Sequence, residues 1–141
     1  MQNALLTPHW TVNAHTVVYV TAGQGRVQVV DNRGRSVFDG ELRQRQVLLV
    51  PQNFAVVVKA RREGFSWVSF KTNHNAIDSQ IAGKASVLRA LPVDVVANAY
   101  GFSREEARNV KFNRADEVAI FAPRRGQPAH AAEYEQRWMG Q

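Results

Sequence analysis

Six short runs of β-branched and aromatic residues, each ended by turn chemistry, dominate the first half of the chain and restrict what it can fold into. Thr16-Val17-Val18-Tyr19-Val20 is one run, punctuated by Thr21-Ala22-Gly23-Gln24-Gly25. Arg26-Val27-Gln28-Val29-Val30 alternates polar with apolar residues, as a strand with one buried face does. Asp31-Asn32-Arg33-Gly34 is a turn, after which Ser36-Val37-Phe38 resumes. Gln46-Val47-Leu48-Leu49-Val50 stops at Pro51, Phe54 to Lys59 follows, and Gly64 to Lys71 is the last run. Strands at this spacing predict an all-β sandwich or barrel rather than alternating βα units. Closure also removes the exposed edges that so many strands would create.

The period changes in the second half. Thr72 to Ala82, with Asn73, Asn75, Asp78 and Ser79, reads as a loop. Val93 to Tyr100 reads as a helix with Pro92 at its start and Gly101 as its stop. Ser103-Arg104-Glu105-Glu106 matches a capping box and predicts a second helix from about Arg104 to Lys111. Two such helices are too small for a domain of their own, so they pack on the barrel or on a neighbouring subunit. From Pro123 the apolar spacing collapses and a mobile tail is expected. The resulting organisation is mainly β: a barrel over residues 1–87, a helical extension over 88–114, and a final strand or loop with a flexible tail over 115–141. A chain of 141 residues suits one such domain.

The absence of cysteine excludes disulfides, thiolate metal sites and a thiol nucleophile within the chain. The first eight residues lack the basic and apolar regions of a signal peptide, and no apolar run approaches a bilayer-spanning length. The net charge of +6 invites a nucleic-acid or anionic-membrane reading. The basic residues are scattered, however, with Arg61-Arg62 and Arg124-Arg125 the nearest things to clusters, so solvated surface charge is the stronger reading and neither partner is expected. The 14 Arg, 9 Asn and 10 Gln against 4 Lys concentrate side-chain nitrogen, as a nitrogen store would.

Pro8-His9-Trp10, then Asn13 to Val20 and Gly23-Gln24-Gly25, resemble the first conserved motif of cupins. Metal-binding cupins show His-x-His, four residues, Glu, and a Gly seven positions later. Gly23 lies seven positions after Thr16, which sets His9 and Thr11 on the two His positions and Thr16 on the Glu. In the second motif Pro51 stands at a strand end, and Val56 stands where that motif has its His. Three of four ligand positions are therefore occupied by Thr11, Thr16 and Val56, and one imidazole does not hold a transition metal that needs about three protein ligands. No metal, cofactor or catalytic residue is expected. His9 reads as a structural hydrogen-bonding residue near the barrel mouth.

The longer stretches resemble the basic-chain, C-terminal cupin half of legumin-like (11S) seed storage globulins. They include Asn3-Ala4-Leu5, Val37 to Leu42, Val50 to Val57, Phe70-Lys71-Thr72-Asn73, Ala90-Leu91-Pro92 and Ser103 to Ala107. The resemblance runs over about residues 3–114. It implies a jelly-roll barrel, a non-catalytic nutrient-reservoir role in the plant seed protein storage vacuole, and delivery there by a longer secretory precursor. It also implies trimers and hexamers, an acidic-chain cupin half as partner, and a chain that is a fragment or excised domain. A metal-free cupin that binds or converts a small molecule in its barrel is the alternative.

Other motifs read as structure. His15 with Ser36 or Ser66 lacks any nucleophile-elbow frame for a triad. Gly23-x-Gly25 is followed by a strand, so it reads as a turn and not a phosphate cradle. Trp10, Tyr19 and Trp67 supply core or interface bulk. Val95, Val96, Ala99 and Tyr100 on the first helix and Ala107 and Val110 on the second are the candidate interface residues.

Overall fold

The computed structural model describes residues 3–114 and 117–121. Its seven strands are β1 (Leu5–Thr11), β2 (Thr16–Val30), β3 (Ser36–Arg43), β4 (Val47–Val50), β5 (Ala55–Lys71), β6 (Asp78–Gln80) and β7 (Ile120–Phe121). All pair antiparallel, in the order β3-β2-β5-β1-β6, with β4 also on β2 and β7 also on β1. Helices α1 (Val87–Ala90), α2 (Val93–Tyr100) and α3 (Arg104–Phe112) lie between β6 and β7. The expected mobile tail falls outside the described residues.

The long strands β2 and β5 organise the barrel. They pair along nearly their whole lengths, from Thr16↔Lys71 to Val30↔Ala55, with register shifts between Val20 and Ala22 and between Gly23 and Gly25. At this bend Gly23 (φ 71°) and Gly64 (φ 84°) adopt left-handed backbone. A Cβ on Gly23 would stand 2.2 Å from the Gly64 carbonyl oxygen, so the two strands cross here at a distance only glycine permits. The expected turn at Gly23-x-Gly25 is thus a bulge inside one continuous strand, and the runs at 16–20 and 26–30 are its two halves. The runs 54–59 and 64–71 merge in the same way, because a glycine that bends a strand leaves the same local trace as one that ends it.

Side chains alternate across this sheet. Thr16, Val18 and Val20 on β2, Leu48 and Val50 on β4, and Trp67, Ser69 and Lys71 on β5 face inward. The core cluster is Val20, Val27, Val29, Leu42, Val50, Val58, Ala60 and Phe65, with Leu6, Phe38, Leu48, Phe54, Val56 and Trp67 packed against it. The outward positions of the same strands carry Tyr19, Val47, Leu49, Val68 and Phe70, all exposed. In register they form two rows, Leu49-Val17-Phe70 and Val47-Tyr19-Val68.

The segment expected to be a loop contains β6. Its Asp, Ser and Gln have weak strand preference, but the free edge of β1 supplies a ladder, Thr11↔Asp78, Trp10↔Ser79 and His9↔Gln80. Gly101 ends α2 in left-handed conformation (φ 65°), and Ser103 and Glu106 make the reciprocal capping box of α3. Lys111 is buried on α3, and its Nζ donates to the carbonyls of Leu88 (3.1 Å), Arg89 (2.7 Å) and Leu91, where α1 ends. A cation at a helix C-terminus satisfies carbonyls that lack intrahelical partners, so Lys111 clamps α3 to α1.

Candidate functional site

A cavity of about 230 Å³ lies inside the barrel, and its walls contain all four of His9, Thr11, Thr16 and Val56. The positions come from three strands. His9 and Thr11 share a face of β1, Thr16 opens β2, and Val56 on β5 is the register partner of His9. The sequence register therefore converges on one place. His9 Nδ1 donates to the Thr7 carbonyl at 2.9 Å, which holds the ring in place. Among the described residues, no group of three or more His, Asp or Glu is arranged to hold a metal ion.

Two further residues at this end escaped the sequence reading. Lys71 Nζ donates to Thr11 Oγ1 (2.8 Å) and to Asp78 Oδ1 (2.5 Å), and Thr11 Oγ1 donates to the same carboxylate oxygen at 2.6 Å. Burial would raise the Asp78 carboxyl, but the hydrogen bonds from Lys71 and Thr11 and the Lys71 charge outweigh it and hold it below its ordinary value. Thr11 and Lys71 are 60 residues apart in sequence, so no local pattern announces this triad. Thr16 and Ser69 add hydroxyls to the cavity wall. The rest is apolar, from residues such as Leu6, Val18, Leu48, Phe54, Phe65 and Trp67.

The other candidates resolve as structure. His15 accepts a hydrogen bond at Nδ1 from the Gln52 amide at 3.0 Å, while its own amide donates to Thr72 Oγ1, so it ties two loops together. Ser36 bonds Gln28 and the Phe38 carbonyl on the far part of the sheet, away from His15. Arg61 is held by Glu41, which makes the Arg61-Arg62 pair part of an ion-paired surface. Trp67 lines the cavity and packs against Phe65 in a tilted arrangement with ring centroids 5.1 Å apart, while Tyr19 stands on the outer face.

The six interface candidates divide. Val96 and Ala107 are 1% and 0% exposed in α2 and α3, which pack on each other, so they belong to internal packing and leave the interface set. Val95, Ala99, Tyr100 and Val110 are exposed, and Phe102 and Phe112 join them. Among the described residues no helix is long and apolar enough to cross a membrane.

A family model described as cupin matches residues 1–108, the stretch that builds the barrel and most of the helices. The chain belongs to the cupin family. Within it, this cupin is 60% identical over 122 residues to glutelin type-A 1 of Oryza sativa subsp. japonica, covering 86% of this chain and 24% of that protein. Cocosin 1 of Cocos nucifera is 57% identical over 130 residues, covering 92% and 28%. The solved structure of recombinant pro-11S globulin of pumpkin superposes with a TM-score of 0.84 at 52% identity, covering 88% of this chain and 32% of that one. The cupin thus spans about a quarter of the length of these curated relatives. Its resemblance to 11S globulins and its jelly-roll architecture are both upheld.

Proposed function

We propose that this cupin is a non-catalytic nutrient-reservoir module of a seed storage globulin, laid down in the seed protein storage vacuole. The observation that carries the reading is the chemistry of the cavity in a chain this close to glutelins and 11S globulins. The position where a metallo-cupin sets its ion holds one imidazole, two hydroxyls and a valine, and neutral hydroxyls are poor ligands for a transition metal. The 14 Arg, 9 Asn and 10 Gln fit nitrogen storage.

The partners of such a module are further copies and an acidic-chain cupin half, assembling into trimers and hexamers. Two apolar surfaces support this. One is the outer sheet face of Val17, Tyr19, Val47, Leu49, Val68 and Phe70; the other is the helical face of Val95, Tyr100, Phe102 and Val110. Exposed apolar groups this concentrated mark contact surfaces.

An antibody against this chain, followed through seed development and germination, tests the function. The protein accumulates in maturing seed inside storage vacuoles and declines as the seedling grows. A constant level in leaf, root and seed would overturn the reading.

A further inference from the structure

Three connections meet at one end of the barrel: the 12–15 link between β1 and β2, the 51–54 turn between β4 and β5, and the 72–77 segment before β6. The 12–15 link is bonded to both of the others. Towards the 72–77 segment, the Asn13 side chain donates to the Asn75 carbonyl (3.0 Å) and accepts from the Ile77 amide (2.8 Å), and the Thr72 amide donates to the His15 carbonyl (3.1 Å). The 51–54 turn is held by its own donors. The Asn53 amide reaches the Thr11 carbonyl (2.9 Å), the Gln52 side chain the Val12 carbonyl (2.8 Å), and the Gln52 amide His15 Nδ1 (3.0 Å).

All of these acceptors but one are amide oxygens, which take up no proton at ordinary pH. The exception is His15 Nδ1. A backbone amide only donates, so this nitrogen is bare and the neutral ring carries its proton on Nε2. A proton on Nδ1 sets two donors against each other, and the bond is lost. The bond therefore contributes while the ring is neutral and disappears as the pH falls. The ring is exposed, so once charged it turns into water instead of being trapped in the interior, and its release does not require the barrel to unfold. The 51–54 turn and residues 12–14 carry no charged or titratable side chain. On the elements packed against them, these groups are His9 on β1, Lys71 at the end of β5, His74 in the 72–77 segment and Asp78 on β6. His9 faces the cavity with Nδ1 bonded to Thr7. Asp78 lies below its ordinary value despite burial, because Lys71 and Thr11 donate to it, so this ion pair keeps its charges in the range where imidazoles titrate. His74 is exposed and is the neighbour to control for.

We propose that His15 is an acid-released clasp: on taking up a proton it lets go of the Gln52 amide, and the 51–54 turn loosens from the 12–15 link while the sheet stays folded. This device goes beyond storage and does not depend on it.

Solvent-exchange NMR of the 141-residue chain at about pH 8 and about pH 5, with each rate divided by the intrinsic rate at that pH, tests the proposal. The protection of the Gln52 amide should fall about three- to tenfold on acidification, as for one lost hydrogen bond. The Thr72 amide, bonded to the His15 carbonyl, should keep its protection. His15→Asn places an oxygen acceptor that does not titrate where Nδ1 stands, and should hold Gln52 equally at both pH values; His74→Gln should leave the fall intact. Should His15→Asn leave Gln52 unprotected throughout, the nitrogen-15 shifts of the native ring decide: at about pH 8 the proton sits on Nε2, and the ring titrates together with the loss at Gln52. Protection of Gln52 unchanged within about twofold, an equal loss at Thr72, the same fall in His15→Asn, a fall abolished by His74→Gln, or a neutral ring protonated on Nδ1 would overturn the proposal.

Discussion

Replacing Gly23 by alanine should be far more damaging than the same change at Gly34, although both glycines have similar backbone angles. Gly23 has φ 71° and Gly34 has φ 78°, so the left-handed penalty for alanine is shared, about 1–2 kcal/mol. Reduced freedom of the unfolded chain offsets part of it, by about 0.4–1 kcal/mol, equally in both variants. What differs is the space. A Cβ at Gly34 meets nothing within 4 Å, whereas at Gly23 it meets the Gly64 carbonyl oxygen at 2.2 Å and its carbon at 2.9 Å. An ordinary carbon-to-oxygen contact is about 3.3 Å or more, so β2 and β5 must separate by roughly 1 Å at their bend. The neighbouring Phe65 is buried in the core, and strain of this kind in a packed interior costs about 1–3 kcal/mol. Gly34→Ala should therefore cost about 1 kcal/mol or less, and Gly23→Ala about 2–4 kcal/mol, a large part of the stability of a domain this size. Urea unfolding followed by tryptophan fluorescence measures both, with an unchanged slope showing that the same surface is exposed. Should the two variants agree within about 0.5 kcal/mol, the close crossing of β2 and β5 is not what requires glycine at position 23.

Restoring the lost ligands with Thr11→His, Thr16→Glu and Val56→His, beside the existing His9, should give a chain that retains stoichiometric zinc or manganese through dialysis; elemental analysis checks this, and a folded, metal-free triple variant would refute the convergence of the four positions. Lys111→Met removes three hydrogen bonds to the α1 carbonyls and should destabilise the helical unit by about 1.5–3 kcal/mol, read as lost amide exchange protection in residues 87–91. Asp31 accepts hydrogen bonds from the backbone of Arg35, then from that of Arg33 and the Arg35 side chain, which together hold its carboxyl below its ordinary value despite the opposing effect of burial. A depressed folded-state value stabilises above the unfolded value, and that stabilisation disappears as pH falls through the folded one. Acid unfolding curves should accordingly lose part of their slope below about pH 4 in Asp31→Asn; an unchanged acid limb would refute the role of this turn.

Sequence alone reached the architecture because its signals are local. Period-2 runs fit strands, Pro92 and Gly101 bracket α2, and Ser103 with Glu106 announces α3; each rests on residues within a few positions of one another. The metal-site register was legible for the same reason, since Gly23 and Pro51 are fixed offsets from Thr16 and Val56. Tertiary structure decided what depends on distant partners. Gly23 continues β2 only because β5 passes close enough to carry the ladder through the bend. Asp78 joins a strand because β1 has a free edge, and it meets Lys71 and Thr11 only once the barrel closes. Val96 and Ala107 look the same in sequence as their exposed neighbours, and only the crossing of α2 and α3 determines which of them it covers. Hydrogen bonds within a turn or cap can be read from spacing, whereas the interior of a barrel is made by residues whose proximity no spacing encodes.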